Sequence, residues 1–254
     1  MESIYLKSHD GLSIAAKKLQ GNPPTIIFMP GFFSNMKGTK ATYLEKLCRE
    51  HGQAYIRFDY RGHGQSDGKF EEGTFTDWLN DTLLVLDELA EAPVVAVGSS
   101  MGGWIALLAA LKRPDKIRGL VGIASSPDFT EDIRHHRMTD QQRKLMNEQG
   151  FITQPSEYQD EPVIITKQLL ESGKDHILLH KPSINLDIPV TLIHGIKDAD
   201  VPWQKSEKLH RLIGEENSEL ILIPDGEHRL SREKDLELID EVVGKITEKI
   251  SNNL

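Results

Sequence analysis

One cysteine, Cys48, stands in 254 residues. An internal disulfide is therefore excluded, and a lone thiol fits a reducing compartment. Beside Leu47, it reads as a buried apolar side chain. Long apolar runs are missing too. The longest uninterrupted one, Trp104 to Leu111, is far too short to cross a bilayer, so no transmembrane segment is expected. Positive charge is scarce: 30 Lys and Arg against 39 Asp and Glu give a net charge of −9. With no basic run to offset it, nucleic acid and anionic membrane surfaces would repel the chain. The opening MESIYLKSHDGLS has no basic start and no apolar core, and the expected location is the cytoplasm. No His-Glu-x-x-His, Cys/His cluster or EF-hand spacing occurs, so neither metal nor cofactor is expected. Gly62, Gly64 and Gly68 follow a strand-like run but have the wrong spacing for a nucleotide loop.

What the chain has is alternation. Short Val/Ile-rich runs at 25–29, 54–60, 93–98, 117–124, 189–195 and 219–224 read as buried strands. Helix-like segments lie at 39–50, 75–90, 101–112, 203–213 and 232–250. Two further strand candidates, SIYLKS and LSIAAKKL, flank a turn at His9-Asp10-Gly11. The pattern predicts one α/β domain over residues 1–254, with a mostly parallel sheet, helices on both faces and an antiparallel N-terminal hairpin. Residues 127–188 interrupt the rhythm without a convincing core strand. A structureless loop of that length is improbable in a compact domain, so this insertion is expected to be a small helical cap. TDQQRKLMNEQG and EPVIITKQLLESG are its helix candidates.

The segment Gly98-Ser99-Ser100-Met101-Gly102 fits G-x-S-x-G, with Ser100 at its centre. An apolar strand-like run precedes it and a helix-like run follows. That context places the serine on a strained strand-to-helix turn that exposes its hydroxyl. A serine needs a base to take its proton and an acid to orient the base. In this motif both follow later strands, the acid first. Asp198 and Asp200 compete for the acid; Asp198 is favoured on the loop leaving its strand, while Asp200 has an ordinary alternative as a helix cap. His228 is the only histidine after the last strand candidate and is the expected base. His63 and His194 are placed near the pocket but not at the base position. The oxyanion donors are expected at the backbone N–H of Met101 and of Phe32, in the loop Pro30-Gly31-Phe32-Phe33. Phe33 and Trp203 are candidates for the substrate pocket. Ile164, Ile165, Leu169 and Leu170 are assigned mainly to cap packing.

"FMPGFFS", "FDYRGHGQSDG", "GSSMGG", "HGIKDADVP" and "GEHRL" stand in the order found in the serine α/β-hydrolases, which this chain resembles along essentially its whole length. "PGFFSNMKGTKA", "VGSSMGGW", "DADVPW" and "HRLSREKD" resemble a branch with palmitoyl-protein thioesterase and acyl-glucuronide esterase activity. The resemblance implies the α/β-hydrolase fold, a triad of Ser100, Asp198 and His228, and an acyl ester or thioester, small or protein-borne, as substrate. Asp198 takes the acid's place in the pattern H-G-x-x-D-x-x-V-P. An aminopeptidase-type amide hydrolase or an acyltransferase would use the same three residues. A catalytically silent binding protein would typically have lost one of them.

Overall fold

The computed structural model describes residues 1–155 and 162–252. Its strands are β1 (Glu2–Lys7), β2 (Ser13–Leu19), β3 (Asn22–Met29), β4 (Gln53–Phe58), β5 (Val94–Ser99), β6 (Ile117–Ile123), β7 (Phe151–Gln154), β8 (Val163–Thr166), β9 (Val190–Gly195) and β10 (Ser218–Ile223). The helices are α1 (Thr39–Glu50), α2 (Phe75–Leu89), α3 (Met101–Lys112), α4 (Phe129–Asp132), α5 (Asp140–Gln149), α6 (Lys167–Gly173), α7 (Gln204–Ile213) and α8 (Glu233–Ser251). Eight strands make one sheet in the order β1-β2-β4-β3-β5-β6-β9-β10. β1 pairs antiparallel with β2, and β2 with β4. From β4 through β10 every pairing is parallel.

Alternation along the central strands explains the two-sided core. In β5, Val94 and Ala96 pack on one face with α2 and α3, while Val95 and Val97 face α1 and α8. In β3, Ile27 and Met29 join the first layer, Ile26 and Phe28 the second. Successive strand side chains point to opposite faces, so a strand covered on both sides must be apolar throughout. Helix α3 is buried from Met101 through Ala110, which accounts for its unbroken apolar sequence. Each fully buried Val, Leu or Ile contributes roughly 1.5–3 kcal/mol over leaving it exposed.

Between β6 and β9 the chain inserts further elements, and their buried apolar side chains, from Phe129 and Ile133 to Leu169 and Leu170, join the first layer of the core. α5 matches its expected helix: Thr139 makes a reciprocal capping box with Gln142, and Gly150 closes the helix at φ 81°. The second expected cap helix is corrected in its first half. Val163–Thr166 forms β8, paired antiparallel with β7 from Phe151↔Thr166 to Gln154↔Val163. Only Lys167–Gly173 is helical. Val163, Ile164, Ile165 and Thr166 are all β-branched, and their burial alternates, which favours a strand over a helix. The Thr166 hydroxyl then accepts from the Leu169 N–H at 3.1 Å and starts α6. Glu161, at the start of that expected helix, lies outside the described residues.

Candidate active site

β3, β5, β9 and β10 all end on the same edge of the sheet, and the loops leaving them converge there. In an open parallel sheet this carboxyl edge is where ligands bind. The Ser100 turn leaves β5 with φ 56° and ψ −119°. A non-glycine residue holds such left-handed backbone only when its surroundings impose it. A Cβ on Gly98 would lie 2.2 Å from the Gly102 carbonyl oxygen, and a Cβ on Gly102 2.0 Å from that of Met29. Strand and helix therefore approach at distances only glycine allows. The Ser100 N–H donates to the Ile123 carbonyl at 2.9 Å, and its own carbonyl accepts from Ser126 at 3.0 Å. Those bonds tie the turn to β6 and its outgoing loop.

Ser100 Oγ lies 3.1 Å from His228 Nε2, and His228 Nδ1 lies 2.7 Å from Asp198 Oδ2. The Asp198 side chain is fully buried, that of His228 15% exposed, so the imidazole keeps access to the cavity. Asp198 Oδ1 accepts from the N–H groups of Asp200 at 2.9 Å and Val201 at 2.8 Å. Burial pushes the Asp198 carboxyl up. Hydrogen bonds from His194 and His228, the His228 charge and the Val201 N–H more than offset it and hold the group well below the usual carboxylate range. An ionised carboxylate only accepts, so a neutral His228 carries its proton on Nδ1 and turns a bare Nε2 to the serine hydroxyl.

Asp200 is not a helix cap: α7 starts at Gln204, its N-cap residue is Trp203, and no side chain caps it. A carboxylate oxygen of Asp200 instead lies within 4.8 Å of ligand atoms of both Asp198 and His228. Met101 is the first residue of α3, so its N–H has no acceptor within the helix. Gly31 abuts the elbow, since a Cβ there would lie 3.3 Å from Ser100 Cβ. Phe32 is thereby brought beside the serine. Buried Asp59 fixes this loop by accepting from the Met36 N–H at 2.6 Å, and the Tyr60 hydroxyl donates to the Pro30 carbonyl at 3.1 Å.

Ser100 and His228 open into a cavity of about 800 Å³, lined on its apolar side by Phe32, Phe33, Phe129, Ile133, Val163 and Ile165. Phe33 thus reaches the cavity, its ring 3.8 Å from that of Phe70 between centroids. Trp203 stands half-buried at the start of α7, and Val201 takes the place on the cavity wall. Leu169 and Leu170 are core residues.

The α/β hydrolase fold family matches residues 24–162 of the sequence. The mitochondrial palmitoyl-protein thioesterase of mouse is 40% identical over 97% of this chain and 83% of its own length. The chain belongs to the α/β-hydrolase family. Among solved structures, mouse α/β hydrolase domain-containing protein 10 superposes with a TM-score of 0.90 at 38% identity, covering 98% of this chain and 100% of that one. A putative hydrolase from Agrobacterium vitis gives 0.91 at 36%, covering 97% and 98%. The chain is accordingly a hydrolase, with the mostly parallel sheet and antiparallel N-terminal strands of that fold.

One residue of this α/β-hydrolase had no assigned part in the sequence reading. His194 is fully buried, and its Nε2 lies 3.0 Å from Asp198 Oδ2 and 3.0 Å from the Val201 carbonyl. Its Nδ1 is 2.7 Å from the Ser206 hydroxyl. A carbonyl only accepts, so Nε2 donates and Asp198 Oδ2 receives two imidazole N–H groups. The H-G opening of HGIKDADVP was the available signal, but only the return of the acid loop over β9 gives it meaning.

Proposed function

We propose that this hydrolase cleaves acyl thioesters and acyl esters through an acyl-enzyme on Ser100. The observation carrying this reading is the unbroken hydrogen-bond chain Ser100–His228–Asp198 at the floor of a cavity with an apolar wall. Ser100 Oγ attacks the acyl carbonyl while His228 Nε2 takes its proton. Asp198 holds the ring and stabilises its cationic form. The N–H groups of Met101 and Phe32 receive the charge that develops on the carbonyl oxygen; one such donor typically contributes about 10²–10³ in rate. As the carbon–sulfur or carbon–oxygen bond breaks, His228 returns the proton to the departing thiol or alcohol. Water then attacks the acyl-serine, giving one proton to His228, which passes it to Ser100 Oγ as the acid leaves.

A thiolate departs with little need for protonation, so the same groups serve both linkages. The apolar wall under the residues between β6 and β9 suits an acyl chain, and the thioesterase name of the mouse relative supports a thioester. The reading keeps residues 1–254 as one domain with 127–188 as its cap, and keeps a cytoplasmic location, although the mammalian relatives are named mitochondrial. Among the described residues, no helix is long and apolar enough to cross a membrane. The test is turnover of acyl thioesters and esters of graded chain length. Ser100→Ala is expected to lower kcat by at least about 10⁴-fold with the fold intact by circular dichroism. Full turnover in that variant would refute the mechanism.

A further inference from the structure

The mechanism leaves one buried hydroxyl of the cavity wall without a role. Two serines follow β6, and both are buried. Ser125 turns its hydroxyl back between α3 and β6, where a Cβ on Gly103 or Gly122 would lie 2.2 or 2.5 Å from it. Ser126 is 4% exposed and lines the cavity with Ser100, and its hydroxyl bonds to none of the described residues. Polar groups shut away from bulk water are nearly always hydrogen-bonded, so this one points to a partner that arrives with the substrate. The backbone that carries it is tightly held. The Ser126 N–H donates to the Ser100 carbonyl at 3.0 Å, and Lys205 Nζ donates to the Pro127 carbonyl at 2.6 Å. The Asp128 carboxylate accepts from the N–H groups of Leu178 at 2.9 Å and Leu179 at 2.8 Å. A hydroxyl presented by a backbone already ordered binds at a lower entropic cost.

The location decides which part of a substrate meets this hydroxyl. The acyl carbonyl carbon joins Ser100 Oγ, and Ser126 is bonded to Ser100 through the backbone. The segment that begins at Ser126 continues into Phe129 and Ile133, which form the apolar wall with Val163 and Ile165. An acyl chain running along that wall therefore passes Ser126 within its first carbons. A serine hydroxyl offers one donor and two acceptor positions, and a plain hydrocarbon chain uses none of them. A chain with its own hydroxyl close to the carbonyl satisfies both groups at once, and a site that hydrogen-bonds a substrate hydroxyl discriminates against the analogue lacking it.

Resting on the hydrolase reading above, we propose that Ser126 is a specificity-determining residue whose hydroxyl bonds a hydroxyl group on carbon 2 or 3 of the acyl chain. The preferred substrates are then hydroxyacyl thioesters and esters.

The test sets S-octanoyl-N-acetylcysteamine against its 2-hydroxyoctanoyl and 3-hydroxyoctanoyl counterparts, each enantiomer separately. In the unmodified enzyme at least one hydroxylated substrate should exceed the plain one in kcat/KM by about fivefold or more. In Ser126→Ala that ratio should fall to one or below, because the added hydroxyl then enters the site without a partner. Ser126→Cys, similar in size but a weak donor, should lower it too. Using the ratio within each variant cancels any general loss of activity or folded fraction. No hydroxylated substrate favoured in the unmodified enzyme, or a preference that survives unchanged in both variants, would overturn the role of Ser126 alone. No thioester turned over, with Ser100 still labelled by a fluorophosphonate, would do the same. No turnover and Ser100 unlabelled would overturn the hydrolase reading and the role of Ser126 with it.

Discussion

Asp198 Oδ2 stands between two imidazoles, His228 at 2.7 Å and His194 at 3.0 Å. The second donor fixes the carboxylate's rotation and so the direction from which His228 is held. His194→Leu should lower kcat by about 10-fold or more with KM little changed, because misplacing a reacting group by about 1 Å costs up to 10² in rate. His194→Gln, which restores an N–H donor, should recover part of it; equal losses in both variants would mean that only packing matters there. A third imidazole, His63, is a stability probe. Burial lowers it to about 4, against the Arg61 carbonyl bond that raises it. Between pH 6.5 and 4 the unfolded chain binds a proton that the folded one refuses, so stability falls as pH falls, by up to about 3 kcal/mol. His63→Phe should remove that slope in denaturant titrations at successive pH values. The Arg61 carbonyl would keep its bond from Trp78 Nε1, at 3.2 Å.

At the scale of elements, the elbow is the most constrained junction in the chain. Gly98→Ala would drive a Cβ to 2.2 Å from backbone that cannot yield. A loss of at least about 2 kcal/mol or an insoluble product is expected, read as a lowered denaturation midpoint. Most elements were legible because buried parallel strands leave Val/Ile runs and α3 leaves an apolar one. β8 was not. Four β-branched residues directly before a real helix look like that helix's first turn, and only pairing with β7 separates the two. That Ser100, Asp198 and His228 would meet was legible for a different reason: each follows a strand whose end the pattern marks.

For the whole molecule, the sheet order brings β5, β6, β9 and β10 side by side, so residues 100, 198 and 228 meet although scattered through the chain. The contact of α1 with the loop after β10 was hidden from sequence reading. Lys40 and Arg229 are 189 positions apart and share no motif; only the packing of α1 beside the loop after β10 joins them. The meeting of residues 100, 198 and 228 sets a sharp demand on reactivity. Treating the purified protein with a fluorophosphonate and mapping the tag by mass spectrometry should find one modified residue, Ser100. The tag should be absent from Ser100→Ala and much slower to form in His228→Ala. A tag that persists in Ser100→Ala, or maps to another residue, would contradict the account.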